Sequence, residues 1–173
     1  MEQLLATKLF IPPTRPKIVP RMRLINQLNA YAYPGCKLIL VSAPAGFGKT
    51  TLVSEWVRAM EEAVPPNSIA WLSLDESDND PAHFLAYFIA ALNQAEGIEA
   101  VIGKGSLNML QSPQPPPTEA VLTPLINKIA TIPKRIILVL DDYHVIVSTQ
   151  VDDMLTFLLE HLPPQIHLVI ASR

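Results

Sequence analysis

The segment from Lys37 to Met60 constrains this chain more than any other. Lys37-Leu38-Ile39-Leu40-Val41-Ser42 is a short aliphatic run. Ala43 to Thr51 follow, with Pro44, Gly46 and Gly48 among them, and then Leu52, Val53, Trp56, Val57 and Met60 recur at helical spacing. Such a run fits a strand buried on both faces, and the stripe after it fits a helix with one apolar face. A buried strand that turns within a few small residues into an amphipathic helix commits the chain to a parallel sheet covered by helices.

The turn itself reads Ala43-Pro44-Ala45-Gly46-Phe47-Gly48-Lys49-Thr50-Thr51. This is the P-loop pattern G-x-x-x-x-G-K-[ST] with Ala43 in place of the leading glycine. Small residues let successive backbone N–H groups curl around an anion, and a helix starting near Gly48 aims its positive end at the same place. The expected phosphate contacts are therefore Ala45, Gly46, Phe47, Gly48, Lys49, Thr50 and Thr51. Lys49 is a point charge for the β- and γ-phosphates of a bound polyphosphate, and Thr50 offers a hydroxyl to Mg²⁺. The rival reading is a glycine-rich turn that binds nothing. By residue frequencies the relaxed pattern arises in roughly 1% of chains this long, so that reading ranks second.

Three further aliphatic runs are expected strands: residues 68–74, 135–140 and 165–171. Stripes led by Phe84, Val121 and Val151 predict the helices between and after them. Asp80-Pro81 reads as an N-cap with proline at the first helical position, and Thr118 as the cap of the helix through Val121. A weaker helix is expected at about residues 21–32. Residues 97–117, with Gly103, Gly105 and four prolines, read as a long mobile loop.

The third strand ends in Asp141-Asp142, a Walker B arrangement. Beside a P-loop, Asp141 is placed to hold Mg²⁺, mostly through water, and Asp142 to orient an attacking water as a catalytic group with Lys49. The fourth strand ends in Ala171-Ser172-Arg173, and an arginine at that edge can reach a γ-phosphate. Asp75, Asp78 and Asp80 lack the glycine and distal glutamate of a calcium loop and read as a turn with a helix cap. His83, His144, His161 and His167 show no spacing for zinc.

Composition narrows the rest. Of 173 residues, 49% are hydrophobic and the net charge is -3, which excludes disorder as the main state. The isoelectric point near 5.8 gives a nucleic-acid surface no support. Cys36 is the one cysteine, so no internal disulfide forms. The longest near-apolar stretch is too short to span a membrane, and no signal peptide opens the chain. These features predict a cytoplasmic protein without membrane contact. The proline clusters divide it into an arm with a short helix, residues 1–36, and a P-loop core, residues 37–173.

Several motifs together resemble a known family. They are Leu5-Ala6-Thr7-Lys8-Leu9, Pro12-Pro13 and Val19-Pro20-Arg21-Met22-Arg23-Leu24, then the P-loop, Trp71-Leu72-Ser73-Leu74-Asp75, Asp78-Asn79-Asp80-Pro81, Leu138 to His144, and Ala171-Ser172-Arg173. In this order they resemble the nucleotide-binding domain of large LuxR-type transcription regulators of the STAND class, the signal-transduction ATPases with numerous domains. That class has Ala-Pro-Ala-Gly in its P-loop, so Ala43 agrees with it.

The resemblance implies a three-layer α/β P-loop domain, with the P-loop strand next to the fourth, then the third, then the second. It implies an adenine contact at Val19-Pro20-Arg21, a γ-phosphate sensor at Arg173, and an ATP/ADP switch with slow hydrolysis. Such regulators continue with a fifth strand, an inducer sensor and a DNA-binding domain. The expectation is thus a fragment that meets inducer and DNA only through domains absent here. Its P-loop strand is expected at an open edge that invites self-association. The alternatives are a free-standing P-loop ATPase or kinase, and an interaction module with a vestigial loop. A kinase is expected to carry an arginine-rich lid, and residues 97–117 hold Lys104 and no arginine.

Overall fold

The computed structural model describes residues 4–13, 19, 21–32, 35–63, 65–95 and 102–173. Among these residues four strands form one sheet: β1 (Leu38–Ser42), β2 (Ser68–Ser73), β3 (Ile136–Asp141) and β4 (Ile166–Ser172). All pairings are parallel and the order is β1-β4-β3-β2, as the resemblance implied. Among the described residues six helices accompany them: α1 (Met22–Tyr31), α2 (Lys49–Glu61), α3 (Pro81–Gln94), α4 (Lys104–Leu110), α5 (Thr118–Ile129) and α6 (Thr149–Glu160). Short 3-10 turns lie at Ala6–Leu9, Glu76–Asn79 and Tyr143–Val145.

Successive strand residues point to opposite faces, so the inner strands must be apolar throughout to be covered twice. β3 shows the result. Ile137 and Val139 share one core cluster with Val53, Trp56 and Val57 of α2, while Ile136, Leu138 and Leu140 share the other with residues of α3, α5 and α6. Trp56 is fully buried, and its indole N–H donates to Asn29 Oδ1 at 2.8 Å, which ties α1 to α2. Burial of a side chain that size stabilises the fold by about 4 kcal/mol.

β1 departs from the expected two-sided burial. Ile39 faces α1 and α2, but Leu40 is 62% exposed. β1 is an edge strand among the described residues, and the α3–α5–α6 layer does not extend beneath it. A side contact survives at its start, where Lys37 Nζ donates to the carbonyls of Leu159 and Glu160 at the end of α6.

Two local expectations need correction. Residues 104–110 form α4 rather than mobile loop, while residues 96–101 lie outside the described residues. Tertiary contacts override the poor helix propensity of Gly105. The Asn93 side chain brackets buried Ile102, accepting from its N–H at 2.8 Å and donating to its carbonyl at 3.1 Å. Gly103 then turns with φ +75 where a Cβ would strike Ile89. Thr118 is the first residue of α5 and makes no capping bond, because Pro117 occupies the N-cap position. At α3, Asp80 does cap: its carboxylate accepts from His83 N at 2.8 Å, with Pro81 in the first turn.

Candidate nucleotide-binding site

The carboxyl ends of β1, β3 and β4 converge on the P-loop. Ser42 is in register with Ser172, and Ala43 N donates to Ser172 O at 3.3 Å. Arg173 therefore follows directly beside the start of the loop, and it is exposed. Residues Pro44 to Phe47 are also exposed. Gly46 and Gly48 have φ +81 and +73, a left-handed backbone that suits glycine. A Cβ at Gly46 would meet nothing within 4 Å, so the loop is open on that side. Gly48 is the N-cap of α2 and contributes no side-chain cap. The first amides of α2 consequently lack the usual local acceptor, at the positive end of a helix of 13 residues.

Lys49 is almost wholly buried. Its Nζ donates to Ala43 O at 2.7 Å and Pro44 O at 3.3 Å, folding the side chain back over the loop. Thr50 and Asp141, far apart in sequence, meet: Thr50 Oγ1 donates to Asp141 Oδ1 at 3.1 Å. Asp141 is buried, and burial pushes its carboxyl above the ordinary carboxylate value. The Thr50 hydrogen bond opposes that shift, and the neighbouring Asp142 carboxylate adds to it. A hydroxyl next to a buried acid is a pair of hard oxygen donors, the ligand type that Mg²⁺ takes. Asp142 stands at the rim with half of its side chain exposed, and its N–H donates to Asp141 Oδ1 at 3.1 Å. His144 Nδ1 lies 3.8 Å from Asp142 Oδ1. Thr51, the remaining predicted phosphate contact, is half-buried in the first turn of α2.

Arg21 is drawn to the same place. Its Nη1 donates to Phe47 O at 2.7 Å, and its guanidinium lies 3.2 Å from where a Gly48 Cβ would stand. It borders a cleft of about 370 Å³ between α1 and β1, lined also by Leu28, Tyr31, Leu40, Phe47 and Lys49. Tyr31 and Leu40 carried no sequence signal for this cleft. Pro20, the centre of the expected adenine contact, lies outside the described residues.

The parallel sheet, the P-loop and the acid at the end of β3 define a nucleotide-binding P-loop protein. The chain belongs to the AAA ATPase domain family, whose pattern matches residues 17–171. It is similar to the HTH-type transcriptional regulator MalT of Cronobacter sakazakii, with 35% identity over 98% of this chain. MalT of Klebsiella pneumoniae is 36% identical over the same share. The chain spans 18% of the length of these relatives. The crystal structure of Cdc6p from Pyrobaculum aerophilum shares the fold, with a TM-score of 0.57 at 14% identity over 98% of this chain and 43% of that one. The resemblance to the regulators' nucleotide-binding domain thus holds along nearly the whole chain. Among the described residues, no helix is long and apolar enough to cross a membrane.

Proposed function

We propose that this chain is the ATP/ADP-binding switch domain of a signal-responsive transcription activator working in the cytoplasm. The observation that carries this reading is the open turn at Gly46, with Lys49 at hand and Thr50 against buried Asp141. The phosphates lie on the amides of Ala45 to Thr51. Lys49 exchanges two neutral carbonyls for phosphate oxygens, a stronger charge-assisted contact. Thr50 and Asp141 hold Mg²⁺, which neutralises phosphate charge when bound. Asp142 orients water toward the terminal phosphate, and Arg173 responds to the presence of that phosphate. The base occupies the cleft between α1 and β1, with Arg21 bracing the loop from behind.

Hydrolysis is slow in this chain, because the half-exposed Asp142 is open to water and nothing described closes over it. Inducer and DNA are met by other parts of a longer protein; the similar relatives are named as HTH-type transcriptional regulators, and this chain spans 18% of their length. The open edge of β1, with exposed Leu40, supports self-association. No observation favours a kinase: α4 packs on α3 and α5 rather than over the P-loop.

Denaturing the purified chain and identifying what it releases tests the reading. Released ADP, together with thermal stabilisation of the emptied chain by millimolar Mg-ATP, is the expected result. No nucleotide released and no shift in Tm overturns it.

A further inference from the structure

Asn79 closes the 3-10 turn after β2, remote from the P-loop strand in the sheet order. Its side chain satisfies every hydrogen bond it can make. Nδ2 donates to Glu76 O at 3.1 Å, within its own turn, and to Val145 O at 3.0 Å. Oδ1 accepts from Val147 N at 2.7 Å and Ser148 N at 2.9 Å. Three backbone groups of the segment between β3 and α6 therefore hang on one amide.

That segment starts at Asp142, which has φ 59 and ψ 35. Among the described residues it is the one non-glycine with positive φ. A left-handed aspartate is strained and persists where its surroundings hold it. Behind it, the Asp142 N–H is held by Asp141 Oδ1. Ahead, Val145 N donates to Asp142 O at 3.1 Å, and Val145 O is gripped by Asn79. Asn79 itself sits on a turn tied down by its neighbour. Its neighbour Asp78 is fully buried, bonded to Lys8 Nζ at 2.6 Å, Asp75 N at 2.8 Å and His83 Nδ1 at 3.1 Å.

We infer that Asn79 is a positioning residue for Asp142: it fixes the turn that presents this carboxylate to the terminal phosphate and its water. The inference rests on the ATP-switch reading above. An amide is required, because two carbonyls and two N–H groups converge, and no hydroxyl or carboxylate matches both pairs.

The test compares the chain with Asn79→Ala, Asn79→Asp, Asp142→Asn and the Asn79→Ala/Asp142→Asn double variant. Single-turnover ATP hydrolysis and the affinities for ATP and ADP are measured for each. Asn79→Ala is expected to slow hydrolysis about 10-fold while ADP affinity stays within about twofold. The double variant should match Asp142→Asn alone, since Asn79 acts through that group. Asn79→Asp keeps the acceptor for both amides and should be intermediate; it carries the test if Asn79→Ala does not fold. Where the parent binds ATP without turning it over, the ratio of ATP to ADP affinity takes the place of the rate, with the same non-additive pattern expected. A parental rate or ratio in Asn79→Ala, multiplicative loss in the double variant, or ADP affinity falling in step with the rate overturns this inference alone. A parent that binds neither nucleotide overturns the switch reading and this inference with it.

Discussion

The carboxyl ends of β1 and β2 point the same way, and they are built on opposite principles. After β1 the chain is exposed, glycine-rich and short of local partners for its amides. After β2 it is knitted shut: Asp75 and Asp78 form a reciprocal cap, Lys8 is buried against Asp78, and Asn79 commits three of its four hydrogen bonds to the β3–α6 segment and the fourth to its own turn. The contrast separates a loop with capacity left for a ligand from a turn whose capacity is consumed in holding structure. Polar groups are costly when buried without partners, so an open end must remain in water until something binds it. The knitted end is free to be buried.

Substitutions at the two ends should therefore fail differently. Lys49→Ala is expected to weaken ATP and ADP binding by more than about 100-fold, because it removes a charge-assisted phosphate contact. Stability should stay within about 1 kcal/mol, as only two hydrogen bonds to carbonyls are lost. Calorimetric titration and urea unfolding check both halves, and unchanged affinity would remove the phosphate assignment. Asp78→Ala should do the reverse and destabilise the chain by about 3 kcal/mol, since it leaves Lys8 buried with the partly exposed Asp75 for a partner. The urea midpoint reads this directly.

The two loop glycines sharpen the comparison within the open end. Alanine at Gly46 meets strain alone, about 1 kcal/mol. At Gly48 it also presses on Arg21 at 3.2 Å, so Gly48→Ala should lose more stability than Gly46→Ala and disturb the cleft beside α1. Paired unfolding curves decide the order.

Asp141→Asn has the smallest effect on folding and an informative sign. Burial holds the Asp141 carboxyl above its ordinary value, so the folded chain binds this proton more tightly than the unfolded chain does. Stability from this group is present below the unfolded carboxylate value and is lost as pH rises through the folded one. Asparagine escapes that loss and still accepts from Thr50. The variant should show a modestly higher Tm at neutral pH without nucleotide, a flatter pH profile, and no further gain from Mg²⁺ with ATP. A lower Tm would mean that the charge is already balanced within the protein.

Much of the candidate site could be read from residue order. Lys49 and Thr50 stand in a contiguous pattern whose spacing reflects the geometry of a helix start. Asp141 follows five aliphatic residues, Ile136 to Leu140, so its place at a strand's end was also plain. That Thr50 touches it depended on which strands are neighbours, and only the resemblance supplied that order. Asn79 lies in the Asp78-Asn79-Asp80-Pro81 motif, where nothing local distinguishes an asparagine bonded to its own turn from one holding residues 66 to 69 positions away. Lys8 was hidden in the same way, because a lysine near a chain end ordinarily reads as solvated.

The sequence alone determined the alternation of strands and helices, the glycine turn and the acid that ends β3. Each is encoded by periodicity or by neighbouring residues along the chain. The tertiary structure decided the open face of β1, the α4 helix, the buried Lys8–Asp78 pair and the grip of Asn79 on the segment after Asp142. These arise from contacts between residues far apart in the chain, whose energies depend on which surfaces remain to be covered once the sheet has assembled.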